Sequence, residues 1–405
     1  MYPTIYHALL DLFGFDWPWA KLLNSFGFFV AIAFVVASYI MSRELKRKEA
    51  EGLIKGEKRK HITGKAPVWS DVITNGLIGF IVGWKFIYLF ANSSTLFVPG
   101  GTPQAHIFSS EGYVLLGLLV GGAFGFWRWW EYKKQQLPTP KETIVDYPIY
   151  EYAGTITFIS AICGIIGAKL FHLFENPAEF MAFFTKPDLQ SFLSGLTVYG
   201  GLIMGAAGVL VFAYKKKINF LHLTDATTPG LMLAYGIGRI GCQVSGDGDW
   251  GVANSAPKPG WLSWMPDWAW SYNYPNNVNG ILGPSADTFG MRITDPNTPC
   301  WDGYCTELIP SVWPTPFYET IMATIIFLIL WSLRKRIKVA GVITGLYLVF
   351  NGIERFLIES IRVNNKFDLL GIQATQAQVL AVCFIFAGAI MLFWRYKVSK
   401  KQIHL

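Results

Sequence analysis

Charged residues are scarce in this sequence, and their scarcity excludes most soluble proteins of comparable length. Asp, Glu, Lys and Arg make up only 15% of the 405 residues, whereas apolar and aromatic residues make up 52%. Soluble globular domains are about 25% charged on average. The composition therefore predicts an integral membrane protein.

Cysteine is also scarce, and its spacing does not fit the common metal centres. The five cysteines form no C-x-x-C pair and no Cys/His ligand pattern. We therefore predict neither a metal ion nor another cofactor. Cys300 and Cys305 lie close together in a polar segment, where an oxidising compartment would permit a disulfide; two free thiols are the alternative.

Long apolar runs are what the sequence does have, and nine of them approach the roughly 20 residues that a membrane-spanning helix needs. The sixth is the least apolar and could be interrupted. This pattern predicts an all-α, polytopic membrane protein with about nine transmembrane helices. The runs lie near Leu22–Met41, Val72–Phe90, Tyr113–Trp130, Tyr152–Phe174, Phe192–Tyr214, Thr224–Val244, Phe317–Leu333, Gly341–Ile361 and Thr375–Trp394.

Lysine and arginine are nearly absent from every second connection, which predicts the orientation. Residues 91–112 contain none, whereas residues 43–65 contain nine. Connections rich in Lys and Arg remain on the cytoplasmic side, so we predict an outer N-terminus and a cytoplasmic C-terminus. The basic residues lie in short loops between apolar runs, which argues against nucleic-acid binding.

These features divide the chain into six predicted regions. The segment between helices six and seven is rich in Trp, Pro, Asn, Asp and Gly, which predicts an irregular, outward-facing cap. The regions are a first span in 1–42, a basic cytoplasmic loop in 43–71, a duplicated hairpin in 72–134, core spans in 152–245, the cap in 246–316 and C-terminal spans in 317–405.

The duplication is predicted from an internal match. Gly83–Phe90 aligns with Gly167–Phe174, and each segment has a lysine at its third position. This alignment leads us to place Tyr113 opposite Tyr199. The alternative is that membrane hairpins share Gly and Phe without common descent.

A charged face near the outer end of the eighth span indicates a functional site. Arg355, Glu359 and Arg362 stand at positions i, i+4 and i+7, which share one side of a helix. Charges inside a bilayer are costly and usually mark function, although a neutral structural network is the alternative. Two arginines against one glutamate leave an excess positive charge. We therefore predict an anion-binding site, and guanidinium binds phosphate well.

Two further motifs bring polar groups to the same predicted depth. Arg239 lies in Gly238-Arg-Ile-Gly241 near the outer end of the sixth span. Tyr199 begins Tyr199-Gly-Gly-Leu-Ile203 in the fifth span. Glycine spacing alone is a weak signal, because small residues also allow membrane helices to pack closely. Together the three spans predict a site for a phospholipid head group.

Taken in their order along the chain, the motifs resemble the prolipoprotein diacylglyceryl transferase family. The resemblance covers about Tyr152 to the C-terminus and the first span. The resemblance implies a bacterial inner-membrane enzyme with a periplasmic N-terminus. Its substrates would be phosphatidylglycerol and the lipobox cysteine of a prolipoprotein signal peptide, joined as a thioether with release of glycerol phosphate. The matching residues are Gly164–Lys169, Tyr199–Ile203, Asp225, Pro229, Gly238–Gly241, Trp250-Gly251, Pro314–Glu319, Arg355, Glu359 and Arg362.

The resemblance also implies site residues. Arg239 and Arg355 would bind the phosphate, and Asp225 and Pro229 would organise the sixth helix. The predicted catalytic residues are Arg239, Arg355, Glu359 and Tyr199, and the predicted substrate-binding residues are Arg239, Arg355, Arg362, Gly200, Gly201, Asn351, Asp247 and Gly251.

The chain departs from the family pattern at four places, one of which is Phe26, where the family has a tyrosine in the first span. Tyr199 replaces the usual histidine, Cys242 replaces an asparagine, and the segment Ser245–Gly251 is one residue longer. Without that histidine, Tyr199 could position the substrate or accept the thiol proton, and Glu359 is the rival base. An inactive lipid-binding paralogue and a lipid or anion transporter are the alternative functions.

Overall fold

The chain is mostly helical in the computed structural model, which we describe for residues 1–97, 103–177, 180–181, 197–279, 290–293, 300–364, 366–369 and 371–403. The helices are α1 Ile5–Phe13, α2 Ser25–Ala50, α3 Trp69–Ala91, α4 Ser93–Leu96, α5 Val114–Gln135, α6 Tyr152–Glu175, α7 Val198–Lys215, α8 Phe220–Ser245, α9 Thr315–Leu333, α10 Val342–Glu359 and α11 Gln376–Ile403. A π-helical turn, Val82–Phe86, lies within α3.

Within the described part of the chain, six helices are long and apolar enough to cross a membrane, namely α2, α3, α6, α7, α9 and α11. This confirms a helical, multi-pass membrane protein. The count of nine stays a prediction. The other three predicted spans coincide with α5, α8 and α10, and α10 carries the charged residues that reduce its hydropathy. Residues 192–196 of the fifth predicted span lie outside the described residues.

The N-terminal region differs from the predicted division at residue 42. A short helix, α1, precedes the first span, and α2 continues to Ala50, into the first part of the predicted basic loop. Arg47 pairs with Glu51 at 2.7 Å and also with Glu44 one turn earlier. Ion pairs three or four residues apart stabilise a helix, so the polar end of α2 remains helical.

The sixth predicted span is a continuous helix, and the possible interruption is absent. Helix α8 continues through Pro229 to Ser245. Proline removes one helical hydrogen bond, but Pro229 and its neighbours are buried where α8 packs against α2 and α9. Tertiary packing supplies most helix stability in proteins.

Three short antiparallel ribbons were not expected from the sequence. Strand β1 Glu57–Thr63 pairs with β2 Lys141–Tyr147, β3 Gly290–Ile293 with β4 Thr306–Ile309, and β5 Lys366–Leu369 with β6 Ile372–Thr375. Each lies in a connection between longer helices. The all-α prediction therefore applies to the membrane-spanning part and not to every connection.

The described residues of the predicted cap have a small hydrophobic core of their own. Trp250, Tyr274, Leu308 and Val312 pack together there. Cys300 and Cys305 are joined by a disulfide, which decides between the two alternatives left by the sequence. Residues 280–289 and 294–299 of the cap lie outside the described residues.

The two hairpins α3/α5 and α6/α7 pack in the same way at positions 84 residues apart. A Cβ atom at Gly83 would lie 2.6 Å from the carbonyl of Leu116, and one at Gly167 would contact the carbonyl of Gly200 in the same way. Helices α5 and α7 also begin at equivalent positions, Val114 and Val198. The equivalence extends along both hairpins.

This register corrects the predicted pairing of the two tyrosines. The amide of Tyr113 donates to the carbonyl of Trp84 at 2.8 Å, and the amide of Thr197 donates to that of Ala168 at 3.1 Å. Tyr113 therefore corresponds to Thr197, and Tyr199 corresponds to Leu115. The predicted alignment was wrong by two positions because it followed residue type and not the contacts across each hairpin.

The ribbon formed by β1, which precedes the first hairpin, and β2, which precedes the second, is approximately symmetric. Strands β1 and β2 occupy equivalent positions, and Lys60 pairs with Ile144, which is its own equivalent 84 residues later. Antiparallel pairing around such a residue gives a local two-fold relation, as in an isologous interface.

Candidate functional site

Charged side chains from four segments meet at the end of the helix bundle that adjoins the cap. They come from the last turns of α8, the loop after it, the first turns of α9, and the end of α10 together with the residues just after it. The members of this arginine cluster are Arg239, Asp249, Glu319, Arg355, Glu359 and Arg362.

Glu319 lies at the centre of the arginine cluster. Its side chain is fully buried, it pairs with Arg239, and it lies 3.2 Å from the guanidinium of Arg362 and 3.5 Å from that of Arg355. Glu319 was part of the family resemblance but not of the predicted site. The available signal was a lone carboxylate in the first turns of an apolar helix, where an ionised group needs a partner.

Asp249 bridges two helices through its two carboxylate oxygens. One oxygen pairs with Arg239 of α8 and the other with Arg362, just after α10. Burial raises the pKa of Asp249, but the two neighbouring guanidinium groups lower it by a larger amount. The resulting pKa is about 2, below the ordinary value of an aspartate. Asp249 is therefore ionised at neutral pH. The sequence had indicated Asp247, whose carboxylate instead accepts the amide of Asp249 at 3.4 Å.

The predicted excess positive charge is not present. Glu359 lies 3.0 Å from Arg355, and Asp249 and Glu319 supply two further carboxylates, so three arginines meet three acidic groups and the formal charge is zero. The prediction was wrong because it counted one helix, whereas two carboxylates come from other segments. Two groups still reach the surface, since the side chains of Arg355 and Asp249 are 24% and 35% exposed.

Tyr199 lies beside the arginine cluster at the start of α7. It is half-buried and close enough to Arg355, Glu359 and Arg362 for electrostatic interaction with all three. The structure thus brings the fifth predicted span to the charged face of the eighth.

Gly251 fixes the loop that carries Asp249 against the end of α10. It forms a bridge with Arg362, and its amide donates to the carbonyl of Trp313 at 2.9 Å. A Cβ atom at this position would lie 2.6 Å from the carbonyl of Ile361. Only glycine permits this close approach of two backbones.

Three predicted substrate-binding residues face other neighbours. Gly200 and Gly201 both pack against α6, where a Cβ at Gly200 would lie 2.5 Å from the carbonyl of Gly167. Asn351 lies one turn before Arg355, and its side-chain amide is 3.8 Å from the sulfur of Met232. These contacts hold helices together.

Asp225 organises α10 from the other end of α8. Its carboxylate accepts hydrogen bonds from the amides of Gly341 at 2.7 Å and Thr344 at 2.8 Å, at the start of α10. Lys48 lies 3.9 Å away. Carboxylates stabilise helix N-termini by accepting otherwise unpaired amides. Asp225 therefore has a structural role at the start of α10, and the predicted role in organising its own helix, α8, stays a prediction.

One group of side chains has the spacing of metal ligands. Cys242, Asp247 and Asp249 place their donor atoms within 4.8 Å of one another. The guanidinium of Arg239 pairs with the same Asp249 oxygen and lies 3.8 Å from the Cys242 sulfur. A cation would meet this positive charge, so the donor set does not fit a metal ion well.

Comparison with known proteins identifies similar chains over most of this sequence. A family model described as prolipoprotein diacylglyceryl transferase matches residues 113–394. Proteins named phosphatidylglycerol--prolipoprotein diacylglyceryl transferase are similar to the chain: that of Corynebacterium glutamicum is 27% identical over 247 residues, covering 60% of this chain and 69% of the relative. Those of Corynebacterium diphtheriae and Paraburkholderia phymatum are 28% and 25% identical, covering 60% and 64% of this chain and 77% and 79% of the relatives. The matched region contains the whole arginine cluster.

Proposed function

The chain belongs to the prolipoprotein diacylglyceryl transferase family, and from this premise we propose that it transfers the diacylglyceryl group of phosphatidylglycerol to a prolipoprotein cysteine. The observation that carries the proposal is the arginine cluster, which lies within the matched region at one end of three helices. Guanidinium groups at that depth suit the phosphate of a lipid whose chains remain in the bilayer.

The reaction exchanges one bond at the glyceryl carbon. The cysteine thiol loses its proton, and the thiolate attacks the carbon that carries the phosphate. The carbon–oxygen bond breaks, so that a thioether forms and glycerol phosphate leaves. Arg239 and Arg355 would stabilise the negative charge that develops on the leaving phosphate. Arg355 is the most exposed of the three arginines and would meet the lipid first.

The proton acceptor is proposed from two candidates. Glu359 is fully buried and held by Arg355 at 3.0 Å and by the amide of Asn364 at 2.5 Å. Tyr199 is half-buried next to the same arginine, but phenol has an ordinary pKa of about 10. We assign Tyr199 to positioning the substrate, which leaves Glu359 as the candidate base. Arg362, Asp247 and Gly251 would complete the binding site, whereas Gly200, Gly201 and Asn351 would support it only through helix packing.

The topology is proposed on the basis of the distribution of basic residues. The chain would lie in the bacterial inner membrane with nine spans, a periplasmic N-terminus, a periplasmic cap in 246–316 and a cytoplasmic C-terminus. The arginine cluster would then face the outer leaflet, where a lipobox cysteine in a translocated signal peptide could reach it.

The first hairpin, in residues 72–134, is proposed to be a duplicate of the second. Its support is the constant 84-residue offset in the glycine contacts, the loop hydrogen bonds and the ribbon. The hairpin would account for two of the nine predicted spans.

The direct test is transfer by the purified protein. We would incubate it with phosphatidylglycerol vesicles and a lipobox peptide, and follow peptide mass and glycerol phosphate release. The expected result is a diacylglyceryl gain with equal glycerol phosphate, lost in Arg239→Ala and kept in Arg128→Ala, whose arginine pairs with Glu131 in the first hairpin. Lipid binding without product would favour the inactive paralogue, and no lipid binding would favour the transporter.

A further inference from the structure

Asp249 occupies the arginine cluster in the manner of a phosphate. Its two oxygens pair with guanidinium groups that belong to different helices, Arg239 of α8 and Arg362 after α10. A lipid phosphate offers the same geometry, because its unesterified oxygens can each accept from a separate guanidinium. The carboxylate and the phosphate would therefore use the same donors.

The three carboxylates of the cluster differ in their freedom to move. Glu319 and Glu359 belong to helices and have fully buried side chains, whereas Asp249 belongs to a loop and has a side chain that is 35% exposed. Gly246 and Gly248 precede Asp249 with φ of 66° and 101°. Glycine permits several backbone conformations in such a loop. Asp249 is thus the carboxylate that can leave without disrupting a helix.

The charge balance of the cluster favours departure of Asp249 from Arg239 and Arg362 when a phosphate binds. The six groups of the cluster have a formal charge of zero, and a phosphodiester would add one negative charge. Like charges within a poorly hydrated site repel strongly. If Asp249 remained between Arg239 and Arg362, the phosphate would have to bind beside a carboxylate.

We propose that Asp249 competes with the lipid phosphate for Arg239 and Arg362, and that it leaves them when the head group binds and returns when glycerol phosphate departs. This inference rests on the proposed function and assigns Asp249 as a positioning residue. Without lipid phosphate, it balances the charge of two part-buried guanidinium groups that otherwise share Glu319, since an uncompensated charge in such a site is destabilising. With product bound, its return favours release.

The competition predicts a distinctive kinetic pattern for Asp249→Asn. Loss of the competing charge strengthens head-group binding, so KM for phosphatidylglycerol decreases. Product release becomes slower, so kcat decreases as well. If the ion pairs only held the structure in place, their loss would instead misplace Arg239 and Arg362 and raise KM.

Binding of glycerol phosphate to the detergent-purified protein, measured by titration without peptide or lipid, tests the proposal independently of turnover. Asp249→Asn is expected to bind about tenfold more tightly than the unmodified chain. Asp249→Glu, which restores the charge, is expected to return to the original affinity. Asp267→Asn is the matched control, because Asp267 pairs with Lys258 on the exposed cap surface and is itself 93% exposed. Equal or weaker binding by Asp249→Asn would overturn the competition.

A second measurement uses the unmodified chain and so does not depend on the folding of a variant. Hydrogen exchange of the amides in residues 246–251 should become faster when glycerol phosphate saturates the protein, because Asp249 leaves its partners. Slower exchange would contradict displacement. Glycerol phosphate binding without diacylglyceryl transfer would reject the proposed function alone, and transfer without tighter binding in Asp249→Asn would reject the competition alone.

Discussion

The first and second hairpins have equivalent internal packing. Glycines at equivalent positions bring their helices together, as at Gly121 and Gly205, where a Cβ would lie 2.7 Å and 3.2 Å from a carbonyl of the opposite helix. Each also has a buried lysine, Lys85 and Lys169. Close contacts between small residues drive helix association in membranes, so the same kind of contact holds each hairpin together.

Their surroundings differ. Helices α6 and α7 of the second hairpin pack against α2 and α8, and α7 presents Tyr199 to the arginine cluster. Helices α3 and α5 pack mainly on each other, and Leu115, the equivalent of Tyr199, is 73% exposed. The comparison shows that glycine spacing encodes the hairpin, whereas the neighbouring helices decide whether its polar end becomes part of a site.

Deletion of residues 57–140 or of residues 141–224, which contain the first and the second hairpin, should give the largest difference in transfer activity. A chain without residues 57–140, in which Gly56 is followed by Lys141, keeps α6, α7 and the arginine cluster and should retain transfer. A chain without residues 141–224 loses Tyr199 and the contacts of α2 with α6, and should be inactive. Both chains can be assayed for diacylglyceryl transfer after expression in membranes. Complete loss of activity in the first deletion would show that the hairpins are not separable.

Glycine substitutions at equivalent positions should separate packing from function. A Cβ at Gly83 or Gly167 would collide with the partner helix of its hairpin, and such overpacking typically costs about 1–3 kcal/mol. Gly167→Val should also displace α7 and reduce kcat about a hundredfold, as a displacement of about 1 Å can. Gly83→Val should reduce thermal stability about as much as Gly167→Val does, but it should leave kcat unchanged. Equal kinetic losses in the two variants would contradict the distinction.

Exchange of the equivalent residues Tyr199 and Leu115 should have a smaller effect. Tyr199→Leu removes one hydrogen-bonding group beside Arg355 and should lower kcat about tenfold, as expected for a bond to a charged group. Tyr199→His should keep activity, and Leu115→Tyr should change nothing. A loss of about 10²–10⁴-fold in Tyr199→Leu would instead identify the tyrosine as the proton acceptor.

A substitution in the β1–β2 ribbon, Glu57→Gln, should have the smallest effect, a change in the pH dependence of Tm. Hydrogen bonds with Tyr152, Arg59 and Lys216 lower the pKa of Glu57 from 4.5 to about 2. A lowered carboxylate pKa stabilises the fold above the unfolded value and ceases to do so as pH falls through the folded value. Tm of the unmodified chain should therefore fall more between pH 5 and pH 3 than Tm of Glu57→Gln. The difference corresponds to less than about 1 kcal/mol, because the group is near the surface.

The sequence was informative about features that depend on neighbouring residues. Apolar runs identified the helices, since crossing a bilayer requires length and hydropathy alone. The i, i+4, i+7 spacing of Arg355, Glu359 and Arg362 identified one charged face for the same reason. The extension of α2 to Ala50 was missed, because hydropathy does not detect a helix held by ion pairs such as Arg47 with Glu44.

The partners of the arginines could not be predicted in this way. Asp249, and not Asp247, reaches Arg239 and Arg362, because the loop after α8 is held by the backbone contacts of Gly251. Glu319 becomes central only because α9 packs beside α8. Most of these contacts join residues far apart in the chain, and the sequence contains no local pattern that indicates which of two nearby carboxylates will point inward.

The sequence by itself determined that this is a helical membrane protein and where its charges interrupt the apolar runs, and it predicted a repeated segment, since hydropathy and periodicity are properties of consecutive residues. Tertiary structure decided that the charges cancel, that Leu115 is the equivalent of Tyr199, and that, among the described residues, only the second hairpin reaches the arginine cluster. The physical reason is that pairing and register depend on which helix surfaces pack together, and close packing depends on the shapes of both surfaces.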